Sequence, residues 1–257
     1  MSRKCAYCNE TGDMTKEHIF PGGIISRLEN LITISDKSDT SFRGDLTIKD
    51  VCSTCNNGPL SKLDDEFIEL FDKYMLFPIV AGDSVNIKFN YNSLARFLLK
   101  VTYNSARASN DGDQAVEALK TYIPYILGDI TSLSGVILRL QIYTSAKKIN
   151  TATGAFEGMI EPKLLRSAKV PYNGPQSDNF LIRLVAFNSF WFYVIVPVKP
   201  VSRLKTERFT KGLKNWSLQP GMLIYPQSNS LNIPVNLTTY IHPSILNGMY
   251  RKPAPSR

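Results

Sequence analysis

The sequence has no hydrophobic run approaching the roughly 18 apolar residues of a membrane span. Its opening stretch, MSRKCAYCNETGD, lacks the apolar segment of a secretory signal. Membrane insertion and export are therefore not expected, and a cytoplasmic location is. No internal repeat or low-complexity tract is present. Hydrophobic residues make up 43% of the 257 and charged residues 20%, which excludes a disordered chain. That length suits one large domain or two modest ones. Histidine and cysteine are scarce, at two and four.

What is present is a polarised charge distribution. Residues 1–74 carry 9 Lys/Arg against 13 Asp/Glu, whereas 75–257 carry 21 against 9, within an overall net charge of +8. An acidic head of this kind suits cations, and a basic body suits a polyanion.

The four cysteines form two C-x2-C pairs, Cys5/Cys8 and Cys52/Cys55, with no thiol left over. A two-residue gap lets both thiolates of a knuckle reach one tetrahedral ion, so the pairs predict a four-cysteine structural zinc site. Two disulfides are the alternative, but they need an oxidising compartment to which nothing in the sequence points. A thioredoxin-like redox motif would explain one pair and not two.

The stretch from 5 to about 74 is rich in turn residues and too small to bury much core unaided, a shortfall that metal binding would make good. Ser61 to Tyr74 places Leu63, Phe67, Leu70, Phe71 and Tyr74 at helical spacing, with Ser61 as the expected N-cap. A boundary is expected near 75–83. Beyond it the spacing predicts a strand at 84–90, a helix at 92–108 with Arg96, Lys100 and Arg107 on a solvated face, and a helix at 114–127 bent or ended by Pro124. The chain then turns to strands at 136–144, 180–187 and 190–198, the last two joined by a tight turn at Asn188-Ser189. Trp191 and Phe192 are expected in the core. The densest basic run holds Lys199, Arg203, Lys205, Arg208, Lys211 and Lys214 against Glu207 alone. It is the first choice for a phosphate-contacting surface, with Lys147-Lys148 a weaker one, and its plainer reading is a solvated helix face.

Between the knuckles lies Lys16-Glu17-His18-Ile19-Phe20-Pro21-Gly22-Gly23, and Cys55 is followed at once by Asn56-Asn57-Gly58. A carboxylate next to an imidazole, framed by two zinc knuckles, is a compact kit for metal-assisted hydrolysis. The ordered set of knuckle, EHIFP, and knuckle plus Asn resembles the zinc-stapled form of the HNH (ββα-metal) endonuclease family over residues 5–72. The resemblance implies an N-terminal zinc-bound ββα-metal module (1–74); together with the elements and charge read above, the chain is expected to be an α+β protein in two parts, the second a larger basic α+β domain with an antiparallel sheet (75–257) that positions substrate or partner. It implies that His18 is the general base, that Glu17 and Asn56 bind a catalytic Mg²⁺ or Mn²⁺, and that Cys5, Cys8, Cys52 and Cys55 hold zinc. The family's middle Asn has no direct counterpart, and Asp45, Thr47 or Asp50 stands in its place. Family precedent implies cleavage of nucleic acid, DNA before RNA, to 5′-phosphate and 3′-hydroxyl ends, in a bacterial or phage defence or mobility setting. A homodimer or a defence-system protein is the kind of partner implied.

Each residue also has a plainer reading: His18 as a packed histidine, Glu17 as a surface carboxylate, Asn56 as a turn residue, Asp64 and Asp65 as helix-start charges, and His242 as structural. Two rival functions go with these readings. One is a nucleic-acid-binding zinc protein with an inactive HNH centre, and the other an assembly protein whose basic domain holds a partner.

Overall fold

The structure, a computed structural model, describes residues 3–28, 46–109, 112–216 and 220–235, together with the backbone of two paired strands at 32–35 and 40–43. Asp45 and His242 lie outside the described residues.

The N-terminal segment is built on one antiparallel pair. Strand β1 (Met14–His18) leads into the one-turn helix α1 (Gly22–Ile25), and a hairpin of β2 (Ile32–Ser35) and β3 (Thr40–Arg43) follows. Strand β4 (Thr47–Cys52) then returns beside β1, with Met14 opposite Cys52 and His18 opposite Thr47. The register slips between Thr15 and Glu17. Next come α2 (Ser53–Cys55), a π-helical turn (Asn56–Leu60) and α3 (Ser61–Tyr74). Helix α3 has the predicted limits and buries Leu63, Phe67 and Phe71 as their spacing requires. Ser61 is not its cap. The π-helical turn runs straight into α3, with the change of direction absorbed at Gly58 (φ −104, ψ −106), so no free helix end exists for a side chain to cap.

The body begins with β5 (Ser84–Lys88) and α4 (Tyr91–Ser109). The helix expected at 114–127 is two helices, α5 (Asp113–Lys120) and α6 (Ile123–Leu127). Pro124 sits in the first turn of α6, where its missing N–H costs nothing, so it starts a helix rather than bending one. Strands β6 (Ile137–Ile142), β7 (Ala146–Ile149), β8 (Phe156–Ile160) and β9 (Leu165–Lys169) precede the hairpin of β10 (Phe180–Phe187) and β11 (Phe190–Pro197). Helix α7 (Arg203–Leu213), β12 (Met222–Ile224) and β13 (Ser230–Pro234) complete the described chain. Five strands form an antiparallel sheet in the order β12-β6-β11-β10-β9, while β5 pairs with β13 and β7 with β8. Among the described residues no helix is long and apolar enough to cross a membrane.

Both faces of the central sheet are covered, and strand alternation decides which side chain goes where. Leu181, Val185, Phe187, Phe190, Phe192 and Val194 join the core built by α3, α4 and the N-terminal segment. Ile182, Leu184, Ala186, Trp191, Tyr193 and Ile195 face the other way and meet Phe209 and Leu213 of α7. The first core is continuous across residue 75. Phe67 of α3 stacks on Phe97 of α4 with centroids 3.7 Å apart, and Phe187 packs against Phe67 at 4.7 Å.

Helix α4 is the axis of this core and is buried on every side from Phe97 to Ala106. The solvated face expected for Arg96, Lys100 and Arg107 therefore does not exist. Lys100 has no exposure, the Arg107 side chain is 10% exposed, and Arg96 Nε donates to Ile126 O at 3.0 Å.

The β10–β11 turn is buried too. Asn188 takes a positive φ of 49°, which an asparagine tolerates. Its Nδ2 donates to the carbonyls of Met75 and Leu76, at 2.8 and 3.1 Å, and Ser189 Oγ accepts from Ile79 N–H at 2.8 Å. The turn thus clasps the chain where it leaves α3.

Candidate metal centre and the acid–amide site beside it

The two knuckles meet because β1 and β4 pair. Cys52 ends β4, α2 turns the chain so that Cys55 faces back, and Ala6 N–H donates to Asp50 O at 2.8 Å, fixing the first knuckle on β4. All four cysteines are free, and their sulfurs lie within 4.8 Å of one another, with Cys8 Sγ 3.7 Å from Cys52 Sγ. A tetrahedral ion with Zn–S bonds of about 2.3 Å sets S–S edges near 3.8 Å. The spacing fits such an ion and is far too long for a disulfide. Burial alone would raise the Cys5 thiol. Backbone N–H donors at Cys52, Cys8 and Tyr7 outweigh it and bring Cys5 down to about 7, while burial and the neighbouring thiols push Cys55 up. N–H groups aimed at a sulfur, here Tyr7 N at 3.4 Å and Cys52 N at 3.3 Å, are the surroundings a metal-bound thiolate needs. Among the described residues this is the one group of three or more His, Cys, Asp or Glu side chains spaced to hold a metal.

No family model, curated protein or solved structure matches this chain. Function has to be read from the residues themselves.

Strand β1 carries Glu17 and His18 side by side, pointing to opposite faces. Glu17 is 3% exposed and forms a buried ion pair, with Oε1 2.6 Å from Lys100 Nζ. Lys100 Nζ is also 2.6 Å from Asp64 Oδ1 of α3. Burial pushes the Asp64 carboxyl up to about 6, against the lowering effect of Lys100. Asn104, one helical turn beyond Lys100, donates from Nδ2 to Glu17 Oε1 at 3.3 Å, and its Oδ1 accepts from Tyr7 Oη at 2.6 Å and from Arg107 at 2.8 Å. Arg107 continues the face, pairing with Asp50 at 2.6 Å and lying over the Tyr103 ring at 4.4 Å. Acidic residues of the zinc segment thus meet a basic and amide row on α4.

His18 is half-buried at the end of β1, and its Nε2 lies 4.0 Å from where a side chain on Gly22 would begin. Of the three residues expected to support it, Thr47 is its cross-strand partner and Asp50 is committed to Arg107. Asn56 leaves α2 beside β1, where its Nδ2 donates to Thr15 Oγ1 at 2.8 Å and to Lys16 O at 3.0 Å. Both amide hydrogens are used to hold strand to helix, and Oδ1 is the side-chain atom that could accept from or ligate a further group.

The basic run is elsewhere. Lys199, Arg203, Lys205, Arg208, Lys211 and Lys214 are all exposed on or beside α7. That helix covers the face of the sheet opposite α4 and the zinc segment. The structure places the cysteines, Glu17, His18 and Asn56 on the β1–β4 segment and the turn after it, with Glu17 and His18 on opposite faces of β1, and does not bring the basic run to them.

Sequence reasoning missed Lys100, Asn104, Arg107 and Tyr7. A signal was available in the spacing of Lys100, Asn104 and Arg107, which puts three polar groups on one face of α4. The acidic excess of residues 1–74 supplies the matching charge.

Proposed function

We propose that this chain is a metal-dependent endonuclease of the HNH (ββα-metal) type, hydrolysing phosphodiester bonds in nucleic acid, with DNA the favoured substrate. The observation that carries the reading is Asn56. It follows directly on the last zinc-site cysteine, and it spends both amide hydrogens on the strand that bears Glu17 and His18. A turn residue has no need of that tie. A ligand whose carbonyl oxygen must stay oriented beside that strand does.

The division of labour follows from the chain's own groups. Cys5, Cys8, Cys52 and Cys55 hold structural zinc and supply the folding free energy that two short strands lack. Glu17 and Asn56 Oδ1 would hold Mg²⁺ or Mn²⁺, and the ion would supply stabilisation of negative charge on the phosphoryl group and the leaving 3′ oxygen. His18, the cross-strand neighbour of Thr47, takes a proton from the attacking water. Water oxygen bonds to phosphorus, the bond to the 3′ oxygen breaks, that oxygen takes a proton from solvent, and the products carry 5′-phosphate and 3′-hydroxyl.

A second reading has its own support. Glu17 is already neutralised by Lys100 in the core, as it would be in a zinc-containing nucleic-acid-binding protein whose catalytic centre is retired. Supercoiled plasmid incubated with wild type or His18→Ala, each with Mg²⁺, Mn²⁺ or EDTA, separates the two. Cation-dependent nicking that falls by about 10²- to 10⁴-fold in the variant is expected. Equal cleavage by the variant sinks the role of His18, and no cleavage by folded, zinc-loaded wild type favours the retired centre.

A further inference from the structure

The strand pair that bears His18 has one face in the core and one toward water. Glu17 and Ile48 stand opposite each other and turn inward, Glu17 to its ion pair and Ile48 to the apolar core. Alternation puts Lys16 and His18 of β1 on the outer face, with Thr47 and Lys49 of β4 across from them. His18 and Thr47 are direct partners, and both lysines lie on the same side of that pair.

The register slip falls at this point. Between the pairs Glu17–Ile48 and Thr15–Val51, Lys16 alone faces Lys49 and Asp50 together. A bulge of this kind re-aims side chains, and here it brings two exposed lysines to one spot on the outer face. Like charges set across a strand pair work against the pairing. The carboxylates of these strands do not relieve them, because Glu17 is spent on Lys100 and Asp50 on Arg107. Neither lysine has an ion pair among the described residues. The fold itself thus makes no use of two positive charges that it holds beside His18. Asn56 donates to Lys16 O at 3.0 Å, so the turn after the second knuckle also fixes the backbone of this spot.

Successive residues on one face of a strand are about 7 Å apart, which matches the step between neighbouring phosphates of one nucleic-acid strand. We propose that Lys16 and Lys49 clamp the phosphate next to the one that lies at His18. The β1–β4 face then carries its own polyanion contact and does not need the basic run on α7, which lies behind the sheet. This rests on the reading that the His18 face meets nucleic acid, whether or not a bond is cut there. The two lysines touch no reacting atom. They act as positioning residues that set which phosphate faces the imidazole.

The test is fluorescence anisotropy of a short labelled duplex with zinc-loaded, full-length protein across a salt series. No Mg²⁺ or Mn²⁺ is added, so the duplex stays whole. The double variant Lys16→Gln/Lys49→Gln is expected to bind about tenfold or more weakly, with a salt slope flatter by up to about 2. Lys16→Arg/Lys49→Arg, which keeps both charges, should bind like wild type. Both positions are exposed, so the folded state is not at stake. Unchanged affinity and slope in the glutamine variant overturns the clamp, as does an equal loss in the arginine variant. Absence of duplex binding by wild type overturns it too. Plasmid nicking is scored separately: a protein that binds through both lysines and never cuts fails the nuclease reading and keeps the clamp.

Discussion

Arg107 illustrates how much one side chain does in this core. Its guanidinium pairs with Asp50, donates to Asn104 and lies over Tyr103, three partners at three angles that only a planar fork can serve together. Arg107→Lys should therefore lower stability by about 1–3 kcal/mol in urea denaturation of the zinc-loaded protein. Arg203, whose side chain is 93% exposed in its pair with Glu207, is the contrast, and Arg203→Ala should change stability by less than about 0.5 kcal/mol. Equal effects would show that the acid–base row on α4 is not a structural element. At this scale the cysteines were legible in the sequence because their chemistry is local to a two-residue spacing. Of Lys100 and Arg107 only their shared face of α4 was, not their burial. Helical periodicity assigns polar residues to water, and nothing local reveals that Glu17, 83 positions earlier, will arrive as the partner.

Among the elements, the β1–β4 pair depends most on something outside itself. Two short strands and a one-turn helix bury little, so a metal held by the four cysteines would carry much of the local stability. Cys55→Ser, or a strong chelator, should remove one zinc per chain by mass spectrometry and lower the melting temperature by at least about 10 °C. The loss should reach α4, because Phe67 and Phe97 share one stack. At the sheet edge, Gly221 has φ +73, and a Cβ there would stand 2.0 Å from the Leu140 carbonyl oxygen. Gly221→Ala should cost roughly 2–4 kcal/mol by the same denaturation assay, through strain and loss of the β12 pairing. Elements with strong periodicity, such as α3, β10 and β11, were predicted within a residue or so. Strand β9 was not: it is a half-buried edge with the sequence LRSAK, and its place is decided by β10 rather than by its own alternation.

At the scale of the molecule, the central sheet separates two features that the sequence had placed on one substrate path. Basic α7 lies behind it, and the zinc segment with His18 lies in front. Under the nuclease reading, a long polyanion can touch both faces but a short duplex held at His18 cannot. Replacing Lys205, Arg208 and Lys211 by Glu should flatten the salt dependence of binding to long nucleic acid, lowering its slope by up to about 3. It should leave the cleavage rate of a short duplex near that of wild type. A parallel fall in both would place α7 in the active surface.

The buried Asn188-Ser189 turn also has a consequence for how the protein is made. On the ribosome, all four cysteines are available once Cys55 has emerged, so the zinc site can close early. The carbonyls of Met75 and Leu76, however, wait for an asparagine side chain 113 and 112 residues further on. At about 5–20 residues per second, that is a delay of roughly 6–23 s in which the chain leaving α3 lacks this clasp.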